Sequence, residues 1–323
     1  MRIPSALQGR LRLPVIGAPM FLVSSPKLVA AQCRAGIVGS MPALNARTSE
    51  QLDDWLAELT HELARPRIDD WVGGPAPFAI NQIVARNNTR QAADLALLVK
   101  HKVPIVITSV GSPGEVVEAV HGYGGLVFHD VVSVRHAQKA AEAGVDGIVA
   151  VCAGAGGHGG TMNPFALIND IRSFFSGTLL LSGSLGSGKD ILAAQVMGAD
   201  LAYMGTRFLG SAECEIDDLY KQMILASNSD DIVYTDLFSG LRGNYLKKSI
   251  ARTGLDPNSL PPLPESGIGT GGHGEFKLWK DIWAAGQGVG AITDIPPVDV
   301  LIARLEDEYR SALSRCQALG VRL

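Results

Sequence analysis

AEAGVDGIVAVCAGAGGHGG, residues 141–160, holds one complete unit of the fold: a helix end, a glycine exit, an apolar strand, and a polar glycine loop where the strand stops. The exit recurs in CRAGIVGS (33–40) and VMGADLAYMG (196–205). A glycine at a helix C-terminus accepts the left-handed conformation, and a strand apolar on both faces belongs to a sheet covered by helices. Short runs rich in Val, Ile and Leu alternate with segments of three- and four-residue apolar spacing, the mark of repeated β–α units. Eight strands are predicted: 14–20, 36–41, 78–84, 104–110, 125–131, 147–152, 178–182 and 201–206. Between them, TSEQLDDWLAELTHEL (48–63) and VRHAQKAAEAG (134–144) read as helices opened by Thr48 and Ser133. Eight such units favour an α/β TIM (β/α)8 barrel, with an open doubly wound sheet as the alternative.

The pattern breaks after Phe208. Residues 211–277 carry two helical pieces and then TGLDPNSLPPLPESGIGTGGHGEF (253–276), read as an inserted, mainly helical and loop-rich lid. The barrel is thus expected from 1–210 and 278–323, with 240–276 closing over a substrate. His273, in the 269–274 run GTGGHG, suggests mobility more than catalysis, and Tyr234 and Tyr245 are candidate pocket linings. Helical pattern is expected to resume in FKLWKDIWAAGQGVGAI (276–292), and VDVLIARLEDEYRSALSRCQAL (298–319) reads as a final amphipathic helix against the barrel wall.

Bulk composition bounds the function. The 323 residues are 46% hydrophobic and 19% charged, ample for a large core, and the net charge of −4 provides no basic field for nucleic acid. The apolar runs fall short of the roughly 20 residues a membrane span needs, and the segment between Arg2 and Arg10 lacks the apolar core of a secretory signal. A cytoplasmic protein, monomeric or homodimeric, is expected. Cys33, Cys152, Cys214 and Cys316 lie far apart without metal-ligand spacing, so they read as reduced thiols and no metal is expected.

Barrels of this kind place chemistry at the C-terminal ends of strands. GAPM (17–20), Asn81-Gln82, His129-Asp130, GAGGHGG (154–160), SGSLGSGKD (182–190) and MGTRF (204–208) fall there. In GAGGHGG, glycines permit a planar ring to lie against the backbone while His158 projects over it; a solvent-exposed His in a loop is the plainer reading. LLLSGSLGSGKDILAA (179–194) runs strand, glycine loop, helix, and backbone N–H groups there can hold a phosphate. Gly183, Ser184, Gly205 and Thr206 are the candidates, tight turns being the alternative. The glycine spacing does not fit a dinucleotide fingerprint.

Taken in order, IGAPM (16–20), PFAIN (77–81), GAGGHGG, LSGS (181–184), GADLAYMGTRF (198–208) and WAAGQG (283–288) resemble the nitronate monooxygenase family, formerly called 2-nitropropane dioxygenases. The resemblance covers almost the whole chain. It implies an FMN-dependent oxidoreductase in which Ala18, Pro19 and Met20 lie beside the isoalloxazine ring and Asn81 at its polar edge. His129, Gly157 and Gln287 would also reach the flavin. Gly183, Ser184, Gly205 and Thr206 would hold its phosphate, and His158 would be the catalytic histidine. The implied reaction oxidises alkyl nitronates or nitroalkanes with O2 to carbonyl compounds and nitrite. Flavin-dependent enoyl reductases and NADH:quinone reductases look similar in these motifs, and a non-redox barrel for a phosphorylated metabolite is the reading from another class. Three positions depart from the family pattern: Asp130 stands where many relatives have Lys, Ala284 where some have Ser, and SGS replaces the usual SGG.

Overall fold

The computed structural model describes residues 2–64, 73–262 and 280–320. Its strands in chain order are β1 (Val15–Gly17), β2 (Gly39–Pro42), β3 (Phe78–Ile83), β4 (Ile105–Ser109), β5 (Leu126–Val131), β6 (Gly147–Val151), β7 (Gly157–His158), β8 (Thr178–Ser182), β9 (Leu201–Met204), β10 (Ile232–Thr235) and β11 (Gly243–Leu246). Eight of them form one parallel sheet in the order β1-β9-β8-β6-β5-β4-β3-β2. A parallel bridge between Ile16 and Val38 joins the two ends, with Gly17 N–H donating to Val38 O at 2.8 Å and Val38 N–H to Val15 O at 3.2 Å. The sheet therefore curls into a barrel, and the open-sheet alternative falls. All eight strands expected from the sequence are the barrel strands.

The helices begin and end for local reasons. Ser25, Thr48 and Ser133 accept hydrogen bonds from backbone N–H groups three residues on. Gly36, Gly144 and Gly198 leave their helices at φ of 92°, 82° and 107°, a conformation costly to any residue with a Cβ. Strand alternation divides the barrel into two apolar layers. Ile16, Val38, Ile107, Phe128, Val149, Leu180 and Tyr203 fill its interior, while Ile80, Val106, Val127, Ile148 and Leu179 pack outward against the helices.

The final helix, Val298–Ala318, lies on the barrel wall as expected. It packs against helix Gly188–Val196 so closely that a Cβ at Gly188 would collide with the backbone of Leu305 and Tyr309. Tyr309 Oη donates to Gln195 Oε1 at 2.6 Å, and Arg12 pairs with Glu306.

The described part of the inserted segment, residues 211–262, is mostly helix and loop as expected, but it is not without strands. After helix Asp218–Leu225, β10 and β11 form an antiparallel ribbon, and β11 pairs in turn with β7. The runs IVYT and GNYL have the β-branched and aromatic content of strands. One expectation needs correction: α-helical pattern does not resume within residues 280–292, which hold a bridge from Ala284 to Tyr245 and a 3-10 turn at Gln287–Ala291. Gly286, Gly288 and Gly290 weaken a helix there, and the backbone groups of 283–287 are committed to β11 and the glycine loop. His273 and the 269–274 run lie outside the described residues. All four cysteines are free thiols, and among the described residues no helix is long and apolar enough to cross a membrane.

Candidate active site

At the C-terminal mouth of the barrel, glycines let five distant segments meet. A Cβ on Gly154 would strike the Ser184 hydroxyl and stand 2.7 Å from Gln287 Oε1. One on Gly156 would lie 2.8 Å from Gly286 N and 2.9 Å from Thr206 Oγ1. One on Gly205 would touch Ala18 and the Met20 side chain at 3.4 and 3.6 Å, and one on Gly183 would press on Ala153 O at 2.8 Å. Backbone bonds tie these segments together. Ala18 N–H donates to Met204 O at 2.9 Å, Gln287 N–H to Gly154 O at 2.9 Å, and Gly286 N–H to Thr206 Oγ1 at 2.8 Å. Ala18, Pro19, Met20, Gly157, Gly183, Ser184, Gly205, Thr206 and Gln287 thus belong to one constellation.

Asn81 stands on β3 among the interior-facing positions, separated from β1 by β2. Its Nδ2 donates to Ile107 O at 3.0 Å and to Ser109 Oγ at 3.1 Å, which commits its donors to β4. His129 is placed elsewhere. Alternation along β5 turns Phe128 and Asp130 inward and His129 outward, where it is 7% exposed beneath the helices with Nδ1 2.8 Å from Thr108 Oγ1. Burial pushes its imidazole down to about 4. The residue of that pair that faces the barrel interior is Asp130.

His158 sits on β7, opposite Gly243 of β11. Its Nε2 lies 2.8 Å from Ser239 Oγ, whose own hydroxyl donates to Leu241 O at 2.8 Å. The same hydroxyl accepts from Leu241 N–H and lies 3.3 Å from Tyr245 Oη, so Ser239 anchors one edge of the His158 ring in a small hydroxyl network. His158 is exposed at the mouth, as the plainer reading of the sequence had it, and desolvation by the surrounding loops lowers its pKa and favours the neutral ring. The ribbon also fixes the glycine loop, since Asn244 Nδ2 donates to Ala155 O at 2.7 Å and Tyr234 Oη to Gly159 O at 2.9 Å. Sequence reasoning missed Ser239 and Asn244, because neither belongs to a recognisable motif. Tyr234 and Tyr245 were flagged as linings, and Tyr245 is buried beside Ser239 at 3.3 Å.

The start of helix Gly188–Val196 is already satisfied from within. Asp190 accepts from the backbone N–H groups of Gly186 and Ser187, and Glu308 from that of Gly188. An anion at SGSLGSGKD is left with the Gly183-Ser184 turn, not the helix end. Ser184 itself holds a left-handed φ of 58°, a conformation that glycine adopts without steric cost. Val110, following β4, has φ of 80° and is 68% exposed, a strained conformation for a β-branched residue. With Phe21, Leu22 and Val132 it gives the loops after β1, β4 and β5 an exposed apolar rim.

A sequence profile described as nitronate monooxygenase matches residues 6–308. The chain is 28% identical to a nitronate monooxygenase of Paraburkholderia phytofirmans over 94% of this chain and 93% of the relative. It is also 28% identical to a probable nitronate monooxygenase of Staphylococcus haemolyticus over 67% of this chain and 66% of that one. Among solved structures it resembles FabK from Thermotoga maritima, with a TM-score of 0.77 and 22% identity over 96% of each chain. A nitroalkane oxidase from Streptomyces ansochromogenes gives a TM-score of 0.77 and 22% identity over 96% of this chain and 100% of that one. At this identity the structural likenesses carry the fold.

Proposed function

This chain belongs to the nitronate monooxygenase family of FMN-dependent oxidoreductases, and on that premise we propose that it holds FMN at the barrel mouth and oxidises alkyl nitronates or nitroalkanes with O2 to carbonyl compounds and nitrite. The observation that carries the reading is the glycine cradle with His158 beside it. Glycine at 154, 156, 183 and 205 lets the strand-end loops pack backbone against backbone, and a mouth ringed by such loops suits a flat ring and a phosphate held by main-chain donors. FMN fits the residues present: Gly183, Ser184, Gly205 and Thr206 for its phosphate, Ala18 to Met20, Gly157 and Gln287 for its ring, and Asn81 through its carbonyl oxygen.

When bound, FMN supplies the oxidation of the nitronate and the reaction with O2. The protein's share is proton handling and orientation. His158 in its neutral form takes the acidic proton next to the nitro group; once protonated, the same ring offsets the charge of the anion it has made. Ser239 holds the ring by its Nε2 edge. The rim of Phe21, Leu22, Val110 and Val132 suits the alkyl part of such a substrate. Residues 211–277 are assigned as the insertion that covers the site, with 1–210 and 278–323 as the barrel.

The test is His158→Asn. FMN should remain bound while kcat/KM for a neutral nitroalkane falls by about 100-fold or more, and added nitronate, which needs no deprotonation, should be spared most of that loss. In the unmodified enzyme the same parameter should fall on the acid side, below the ordinary imidazole range, as His158 protonates. Unchanged turnover in the variant would remove His158 from the mechanism.

A further inference from the structure

Two buried polar groups inside the barrel have no partner in the protein. Asp130 Oδ1 and Tyr203 Oη are both enclosed, and neither is hydrogen-bonded. Each sits one residue before the C-terminal end of its strand, Asp130 on β5 and Tyr203 on β9, and both point inward at the mouth side of the barrel. An unsatisfied buried hydroxyl or carboxyl is costly, so two inside the mouth of one barrel call for a ligand.

We propose that Asp130, as a neutral carboxylic acid, and Tyr203 are hydrogen-bond donors to the polar edge of the flavin ring, forming the floor of the cofactor site. The inference rests on the FMN reading given above. Enclosure without a neighbouring cation favours the acid form of Asp130. Burial raises the Asp130 pKa to about 7, and among the described residues no ion pair reaches it. The titratable group coupled to it is Tyr203, held well above its ordinary value by burial and by the Asp130 charge, and therefore a donor throughout. Interior-facing neighbours on the flanking strands, Ile107 and Ser109 on β4 and Val149 and Val151 on β6, do not ionise. His129, adjacent in sequence, faces the other side. A carboxylate in this position would present only acceptors, whereas the acid and the phenol present two donors.

The experiment measures FMN affinity by fluorescence quenching between pH 7 and 9 for the full chain and four variants, each checked for cooperative thermal unfolding. For the unmodified protein Kd should rise, approaching tenfold per pH unit once Asp130 ionises above about 7. Asp130→Asn, which keeps a neutral donor, should match the pH 7 affinity and stay flat. Asp130→Leu and Tyr203→Phe should bind about tenfold more weakly at pH 7, the loss of one donor. Asp130→Lys should bind with no such alkaline loss. If Asp130→Asn follows the unmodified pH profile, or Asp130→Leu binds as well as Asp130→Asn, the proposal is wrong while the FMN reading stands. If the unmodified protein binds no FMN at pH 7, both fall.

Discussion

Single residues carry much of the geometry at the mouth, and Gly154 is the clearest case. It holds φ of 82°, and a side chain there would run into Ser184 and Gln287. Gly9 has a similar φ of 71° with no heavy atom within 4 Å of the place a Cβ would take. Gly154→Ala and Gly9→Ala therefore share the backbone cost of about 1–3 kcal/mol, and only the first adds the clash. Urea denaturation should show Gly154→Ala to be the more damaging, and it alone should release FMN; equal effects would mean that the cradle tolerates a methyl group. At this scale the sequence was partly legible. The glycine motifs exposed Gly154, Gly183 and Gly205 because backbone demands leave a residue-type signature. Asp130 stood out as a departure from the family pattern and Tyr203 did not, and nothing in HDV or AYM says which side chain turns inward until the strand register is set.

At the scale of elements, the β10–β11 ribbon reaches across to the glycine loop and holds His158 through Ser239. Asn244→Ala removes the buried bond to Ala155 O and should cost about 1–3 kcal/mol. Hydrogen exchange should then quicken at residues 154–159 while β3, β4 and β5 keep their protection; uniform quickening would mean that the ribbon braces the whole barrel. The barrel strands were readable because each is a short apolar run between glycine punctuation, a local property. The ribbon was not, because β7 is two residues long and β11 is joined to it across more than eighty residues, besides pairing with nearby β10. Its strands were hidden in a segment dense in turn residues. The stretch 280–292 misled for a related reason: its apolar spacing resembles a helix, but tertiary contacts to Tyr245 and Gly154 claim its backbone.

The whole molecule is a barrel closed by the Ile16–Val38 bridge and buttressed by its last helix, with every motif of the resemblance except part of the insertion brought to one end. That convergence follows from topology, because in-register parallel strands bring their C-terminal ends to the same face. The order of motifs along the chain therefore indicated a site before any contact was known, whereas substrate choice depends on the rim and ribbon that the motifs do not encode. The most direct test of the account is the visible absorbance of the purified protein supplied with FMN and desalted, followed by anaerobic addition of an alkyl nitronate. The account predicts a retained two-band flavin spectrum that bleaches on addition of the nitronate. A protein that stays colourless would contradict the cofactor assignment, and a retained flavin that ignores nitronate would contradict the proposed reaction.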